Sequence, residues 1–439
     1  MKASPATLYI KHDEEKEDSN MFSCKALDLP RRLSLAYVHY YLPHGGVETI
    51  IHTLTNSLSN GCFDITVVLV TDWMIQDNGG PMSAAIQAAG ARVEIWPLHT
   101  STPHGKEPGH LGLSYPVDVS VLQELIPRLS KFDLIHSFYG GAYLSSVGMD
   151  AVSMTRLISS ENSPAPIHVN SIAAVIPLLR GHQYVDVVIM DSTPSYDFAV
   201  QSLERFGTDP PSTRIEMIEA GLDLKKFDPD SVRPWVYEDD VDNNDIVTIG
   251  FVGRLTQQKQ PLLFVRAVSS LRNMKCDGNR RTPRLRFVMV GSGVLAEQIL
   301  SLSEELNVDV RLFQSTSEVP QVLKSLDIFL HLSVWDTAAY AVREAMAMRL
   351  PIVALRSNVG VASYVETEVE GVLLEDDYDI NSTSSALLRL VCNETLRYNM
   401  GRSGREKMLN ASSKGDFASR HVDIYVKSWI ERNQKLFVG

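Results

Sequence analysis

The chain has 439 residues, of which 44% are hydrophobic and 21% charged, and its formal net charge is −12. Such a composition is ordinary for a globular protein, and the length suits two large domains better than one core. The negative charge argues against bulk nucleic-acid binding but leaves peripheral membrane contact through a local basic patch open. No apolar run approaches the roughly eighteen residues that span a bilayer.

Residues 1–30 predict a disordered extension. The segment from Met1 to Asn20 is polar and carries the charged run Asp13–Asp18, without the apolar centre of a secretory signal. The cysteines are scattered and make neither a disulfide framework nor a metal-ligand spacing, which predicts a protein of the reducing cytoplasm, with contact to the inner membrane face left open. They are Cys24, Cys62, Cys276 and Cys392.

Residues 31–227 predict an N-terminal α/β domain, because short apolar runs alternate there with helical periodicity. A helix is expected over residues 46–60, since the apolar residues from Val47 to Leu58 share one face and Gly61 follows. Several of the strand candidates are near-continuous Val/Ile/Leu runs, as expected of strands covered on both faces. The candidates are Leu33–Tyr41, Ile65–Thr71, Arg92–Pro97, Leu134–Phe138, Arg156–Ser160 and Val185–Met190.

Residues 228–245 predict a linker, because this stretch is polar and ends in the acidic run Glu238–Asp245. A second alternating series occupies residues 246–414, with a helix expected over 261–273. Its strand candidates are Ile246–Val252, Leu285–Val290, Val308–Phe313, Ile328–Leu332, Pro351–Leu355 and Gly371–Leu374. The fold class predicted is therefore α/β, with two doubly wound, Rossmann-like domains facing a central cleft.

A cationic pair follows the first strand of the second series. Gly253 and Arg254 come directly after the apolar run Ile246–Val252, and Lys259 comes five residues after the arginine. An arginine at the carboxyl end of a buried strand can hold phosphate oxygens in a fork, and a lysine adds a second positive charge. A surface arginine and lysine flanking a helix is the alternative, but the apolar run before Gly253 favours the phosphate-binding interpretation.

Two acids, Asp336 and Glu344, lie eight residues apart after the apolar strand Ile328–Leu332. Taken singly, each acid is better explained by an ordinary structural role, such as a glutamate that complements the dipole of a helix in its first turns. Their position after a strand of an α/β sheet favours a role in the cleft, where carboxylates could bind hydroxyl groups.

Two strand ends in the first series carry weaker signals. Gly45 and Gly46 precede a helix, so that their backbone N–H groups could approach an anion, although a plain turn is equally compatible. His136 closes another strand and could donate to a sugar hydroxyl or a phosphate, although a histidine at a strand end is more often structural. The nucleophile-elbow, zinc-protease and Walker signatures do not occur, and Gly291-Ser292-Gly293 lacks the rest of a dinucleotide fingerprint.

This ordered set resembles the retaining glycosyltransferases of group 1, family 4, which have the GT-B fold. The resemblance runs from about Leu33 to the C-terminus. The family's glycine pair with Val-Glu corresponds to Gly45-Gly46-Val47-Glu48, its interdomain pattern to the segment from Ile218 to Phe227, and its Gly-Arg…Lys to Gly253, Arg254 and Lys259. Its E-x7-E signature corresponds to Asp336 and Glu344, followed by Ala-Met-Ala and Pro-Ile-Val-Ala.

The resemblance implies transfer of a sugar from a nucleotide diphosphate donor, UDP- or GDP-linked, to an acceptor hydroxyl with retention of configuration. Arg254 and Lys259 would bind the diphosphate and stabilise the leaving group without a metal, and Glu344 would hold the ribose. His136 and the first acid would serve the reacting sugar. The donor site would be completed by Gly45, Gly46, Gly253, Asp336, Thr337, Ala338 and Ala339.

No cofactor beyond the nucleotide-sugar co-substrate is implied, and no D-x-D metal signature stands in a suitable place. The acceptor could be a glycan, a lipid-linked glycan or a small aglycone. The segment 415–439, with Asp416–Lys435, resembles the long helix that crosses back to the N-terminal domain. A nucleotide-sugar epimerase of the same build and a non-catalytic nucleotide-sugar-binding subunit are the alternatives.

Several positions depart from the family pattern. The second histidine of the strand-end motif is replaced by Phe138, and the first signature acid is an aspartate, one methylene shorter than glutamate. An aromatic residue and a glycine are usual where Ala338 and Ala339 stand. A glycine is also usual at the positions of Gln260 and Arg349.

Overall fold

The computed structural model places two parallel β-sheets in sequence, each flanked by helices. It describes residues 22–39, 42, 46–70, 79–80, 82–96, 127–138, 167–172, 186–194, 196–197, 200–201, 214–219, 221–237, 246–277, 281–336, 338–375, 379–411 and 414–433. The strand predicted over Arg156–Ser160 lies outside these residues, as do residues 1–21 of the predicted extension and 238–245 of the predicted linker.

The first sheet has seven strands in the order β3-β2-β1-β4-β5-β6-β7, counted over the described residues. All neighbouring strands run parallel, and the order reverses between β1 and β4. The strands are β1 (Leu33–His39), β2 (Phe63–Val70), β3 (Arg92–Trp96), β4 (Leu134–Phe138), β5 (Ile167–Ile172), β6 (Val187–Met190) and β7 (Arg214–Met217), with helices α1 (Gly46–Leu58) and α2 (Ser83–Ala88).

The second sheet has six strands in the order β10-β9-β8-β11-β12-β13, again within the described residues. Its strands are β8 (Ile246–Val252), β9 (Arg284–Val290), β10 (Val310–Phe313), β11 (Ile328–His331), β12 (Ile352–Leu355) and β13 (Gly371–Leu374). Its helices are α3 (Pro261–Leu271), α4 (Ala296–Glu305), α5 (Val319–Lys324), α6 (Tyr340–Ala347), α7 (Val359–Ala362), α8 (Ile380–Val391) and α9 (Glu394–Leu409).

In both sheets the strand order reverses next to the first strand, between β1 and β4 and between β8 and β11. Helices leave a doubly wound sheet in opposite directions at such a point, which opens a crevice above the carboxyl ends of the two strands. Arg254 follows β8 and Asp336 follows β11, so the fold brings their segments to the same crevice. The predicted pair of doubly wound domains is confirmed.

The last helix, α10 (Lys414–Arg432), belongs to the core of the first sheet although it is the last element of the chain. Phe417, Val422, Tyr425 and Trp429 are buried in one cluster with residues of β1, β2, β4 and α1. A separate cluster lies on each face of the second sheet. The C-terminal residues therefore stabilise the N-terminal domain.

Two sequence predictions about the cysteines and the N-terminus are wrong. The structure joins Cys24 to Cys62 and Cys276 to Cys392 in disulfides, with Cα atoms 4.7 and 5.6 Å apart, and leaves no free cysteine. Sequence separations of 38 and 116 residues hide this proximity, which only the fold creates. The argument for a reducing compartment thereby loses its premise.

Residues 22–30 are also ordered rather than part of a disordered extension. Leu29 is buried in the first core, and Cys62 donates its backbone N–H to Phe22 O over 2.7 Å. The preceding residues are polar, and residues 22–30 contain only a few apolar residues. The sequence therefore offered no clear sign that this segment is anchored to the core. Among the described residues, no helix is long and apolar enough to cross a membrane.

Candidate active site

The loop after β8 is interlocked with the loop after β9. Gly253 donates to Val290 O and Leu255 to Ser292 O, both over 3.0 Å. The contact is so close that a Cβ atom on Gly291 would lie 1.9 Å from Gly253 O, which explains the glycine after β9. Leu255 is fully buried beneath the loop. Arg254 therefore projects from an anchored backbone, and its side chain is exposed.

Gln258 connects this arginine to the loop after β11. Arg254 Nη2 donates to Gln258 Oε1 over 3.3 Å, and Gln258 Nε2 donates to Trp335 O over 2.8 Å. The backbone of the same residue receives a hydrogen bond from Val334 N–H at 3.0 Å. One glutamine thus fixes the arginine relative to the segment that carries Asp336.

Lys259 and Asp336 form an ion pair in which the two side chains are only 13% and 11% exposed. His331 Nε2 lies 2.8 Å from Asp336 Oδ2, and Asn358 Nδ2 donates to the same oxygen over 3.0 Å. The backbone N–H of Asp336 in turn donates to Asn358 Oδ1 over 3.0 Å. Asn358 also caps α7 by accepting from Val361 N–H. The carboxylate is therefore held from several directions.

These contacts set the charges of the pair. Burial disfavours ionised Asp336, but the hydrogen bond and charge of His331, together with Lys259, keep the pKa of this carboxyl well below its ordinary value. Burial lowers the pKa of Lys259, and the neighbouring Arg254 lowers it further, whereas Asp336 raises it. The pairing therefore favours the charged form of both groups.

Glu344 lies on α6 and is partly buried. Desolvation raises its pKa to about 7, against the opposing charges of Lys226 and Arg343. Within the described part of the chain, no hydrogen-bond donor contacts its carboxylate. A carboxylate in this environment is available to accept hydrogen bonds from a ligand.

Helix α6 also joins the two domains. Tyr340 packs against the core of the first sheet, and the guanidinium of the fully buried Arg343 lies 4.9 Å from the ring centroid of Tyr364. Tyr364 donates to Glu219, which follows β7. The helix that carries Glu344 is therefore bound on both sides of the crevice.

The remaining predicted site residues are distributed as follows. Gly253 lies beneath Arg254, and Ala338 and Ala339 are buried just before α6, 1% and 4% exposed. Gly46 begins α1 at the carboxyl end of β1. Gly45 and Thr337 lie outside the described residues.

His136 is not part of this cluster, contrary to its predicted place at the donor sugar. It is fully buried, its Nδ1 lies 2.5 Å from the hydroxyl of Tyr425 on α10, and its ring stacks on Phe138 with centroids 4.0 Å apart. The sequence correctly placed His136 near the end of β4, but α10 packs over this position. The placement supports a structural role in the first core.

Sequence reasoning missed His331, Asn358 and Gln258. His331 had a signal, since it is the one polar residue in the apolar run Ile328–Leu332. Asn358 had only the signal of a helix cap, and Gln258 had none. Their partners lie 5, 22 and 77 residues away, so their roles depend on the tertiary fold.

Comparison with known proteins finds relatives in sequence and in fold. Residues 239–407 match the family model described as glycosyl transferases group 1. An Escherichia coli UDP-Gal:alpha-D-GlcNAc-diphosphoundecaprenol alpha-1,3-galactosyltransferase is 29% identical over 219 residues, 48% of this chain and 54% of that protein. A D-inositol 3-phosphate glycosyltransferase of Salinispora tropica is 28% identical over 253 residues, 53% of this chain and 50% of that protein. The matched regions thus span about half the length of these curated relatives.

Solved structures resemble the chain over almost its whole length. Anabaena HepE in complex with UDP and glucose gives a TM-score of 0.65 at 15% identity, covering 90% of this chain and 99% of that one. Sucrose-phosphate synthase from Thermosynechococcus elongatus gives a TM-score of 0.67 at 15% identity, covering 91% and 100%. At this identity the likeness establishes the fold. The chain therefore has the GT-B fold, and its residues 239–407 are similar to the glycosyl transferases group 1.

Proposed function

We propose that this protein transfers a sugar from a nucleotide diphosphate to an acceptor hydroxyl with retention of configuration and without a metal ion. The observation that carries the proposal is the position of Arg254 and Lys259 at the switch point between β8 and β11. An exposed guanidinium and a buried ammonium on anchored backbone suit a diphosphate, whose negative charge grows as it becomes the leaving group.

The donor is proposed to be UDP-linked. The Escherichia coli relative is named for UDP-Gal, and HepE was crystallised with UDP and with UDP-glucose. Glu344 suits the ribose of a nucleotide donor, since its carboxylate is available on α6 to accept hydrogen bonds from ribose hydroxyls. The cationic pair would supply the charge that a divalent ion supplies elsewhere.

Phosphorylated acceptors are the first to test. The names of three relatives refer to a diphosphoundecaprenol-linked sugar, a poly(ribitol-phosphate) and an inositol 3-phosphate, and each of these molecules carries phosphate. We propose an acceptor of this class for the present chain, with the leaving phosphate of the donor accepting the acceptor's proton on the same face of the sugar.

A thermal-shift screen tests the donor proposal. UDP and UDP-sugars are expected to stabilise the fold by about 2.7 kcal/mol at a ligand concentration one hundred times the Kd. Uridine, which lacks the diphosphate, is expected to stabilise it far less. Absence of stabilisation by any nucleoside diphosphate or its sugar would contradict the proposal. Radiolabelled donor incubated with and without acceptors then separates transfer from epimerisation of the donor sugar.

Glu344→Gln is expected to weaken UDP-glucose binding and to abolish its dependence on pH near neutrality. Because the pKa of Glu344 is about 7, the wild-type carboxyl gains a proton as the pH falls through that value and then accepts fewer ribose hydrogen bonds. Affinity should therefore be higher at about pH 8 than at about pH 6 in the wild type only. Calorimetry with UDP-glucose measures this cleanly, since its diphosphate has no terminal phosphate that titrates near pH 6. An unchanged pH profile in the variant would exclude Glu344 from the ribose site.

A further inference from the structure

The carboxylate of Asp336 is enclosed by side chains from three other segments of the chain. Lys259 pairs with Oδ1, whereas His331 and Asn358 contact Oδ2 at 2.8 and 3.0 Å. An ionised carboxylate offers about four lone-pair positions, and three of them are directed at protein atoms here. With 11% of the side chain exposed, little of the carboxylate faces the crevice.

The carboxylate of Asp336 holds the ammonium of Lys259 and favours its protonated form. This ammonium is buried, and the charged groups that act on it are Asp336, which favours the protonated form, and Arg254, which disfavours it. His331 reaches the ammonium only through the carboxylate that it shares. Removal of the negative charge would leave a buried cation beside another cation, an arrangement that disfavours the protonated form of Lys259.

We infer that Asp336 is a positioning residue for the diphosphate site, which holds Lys259 in place and charged, and that it does not read the hydroxyl groups of the donor sugar. This inference rests on the proposed function and departs from the role that the family resemblance gives to the first signature acid. An ammonium has three donors, so Lys259 can retain Asp336 while it contacts a phosphate oxygen. Recognition of the sugar then belongs to other groups of the crevice.

The test compares UDP with UDP-glucose, which differ by the sugar alone. In the Asp336→Asn variant, calorimetry at about pH 7.5 is expected to show that both ligands bind about tenfold more weakly, because a charge-assisted contact to the diphosphate is lost from both. A loss confined to UDP-glucose would overturn the inference and return Asp336 to the sugar. Unchanged affinity for both would overturn it as well. A wild-type protein that binds neither ligand would overturn the proposed function itself.

A second variant separates the role of charge from damage to the fold. Arginine keeps its proton without a counterion, so Asp336→Asn is expected to weaken UDP binding less in a Lys259→Arg background than in the wild type. In the single variant, the affinity for UDP should also fall more steeply than in the wild type between about pH 7 and about pH 9. Equal losses in both backgrounds, with no added pH dependence, would indicate a merely structural role.

Asp230→Asn is the matched control, because Asp230 pairs with Arg349 just beyond the far end of α6. It removes an ion-paired carboxylate outside the crevice and should leave both affinities unchanged.

Discussion

Alanine in place of Arg254 is expected to lower kcat by about a hundredfold to a thousandfold, while the free energy of unfolding stays within about 0.5 kcal/mol of the wild type. The two effects separate because the guanidinium is exposed, and among the described residues its side chain hydrogen-bonds to Gln258 alone. It therefore contributes little to the fold. Its proposed partner is the diphosphate, on which negative charge accumulates in the transition state.

Initial rates with saturating UDP-sugar and urea unfolding curves measure the two effects on the same preparation. Arg254→Lys keeps the charge but loses the fork of donors, so its activity should lie between the alanine variant and the wild type. Arg389→Ala removes another exposed arginine, one on α8 that pairs with Glu368 in the segment before β13, and should change neither quantity. Wild-type turnover in Arg254→Ala would remove the basis of the phosphate-binding proposal.

Apolar runs predicted most of the sheet strands, and β8 and β13 begin and end where the sequence indicated. Two strands were missed for a common reason. β5 reads Ile-His-Val-Asn-Ser-Ile and β7 reads Arg-Ile-Glu-Met, so polar residues interrupt both. The residues of β7 are all half-buried because this strand forms an edge of its sheet. An edge strand does not need the continuous apolar run that identifies a central one.

Three departures from the family pattern acquire a physical meaning in the structure. Gln260, Ala339 and Arg349 stand where a glycine is usual, and all three adopt left-handed backbone conformations, with φ of 51°, 43° and 63°. Such a conformation costs a non-glycine residue about 1 kcal/mol. Arg349 offsets part of this cost through its two hydrogen bonds to Asp230, at 2.6 and 2.7 Å. At these three positions the chain thus adopts a backbone conformation that glycine favours, without a glycine.

The candidate site was only partly accessible to sequence reasoning. Spacing along single strands and helices pointed to Arg254, Lys259, Asp336 and Glu344, because each motif is local. The pairing of Lys259 with Asp336 joins residues 77 positions apart. The hydrogen bond from the Asp336 backbone to Asn358 joins the loop after β11 to the segment after β12. His136 shows the same limit, since nothing near β4 indicates that the end of the chain covers it.

The second large effect is a loss of stability expected when α10 is altered. Tyr425→Ala is expected to lower the free energy of unfolding by about 3–5 kcal/mol, because it empties a fully buried aromatic site between α10 and the first sheet. Tyr425→Phe keeps the ring, which packs edge-to-face on Phe63 with centroids 6.0 Å apart, but leaves His136 Nδ1 without the hydroxyl. That variant should lose about 1–3 kcal/mol.

Urea unfolding, monitored by circular dichroism, measures the free energy of unfolding of these variants. Tyr398→Ala on α9 is the control, since Tyr398 is 65% exposed and its removal should change stability by less than about 0.5 kcal/mol. Because α10 is the last helix and β1 the first strand, a large loss in Tyr425→Ala means that the N-terminal domain is complete only once the C-terminus has docked. A loss no greater than that of Tyr398→Ala would mean that Tyr425 and its contacts on α10 add little to the stability of this core.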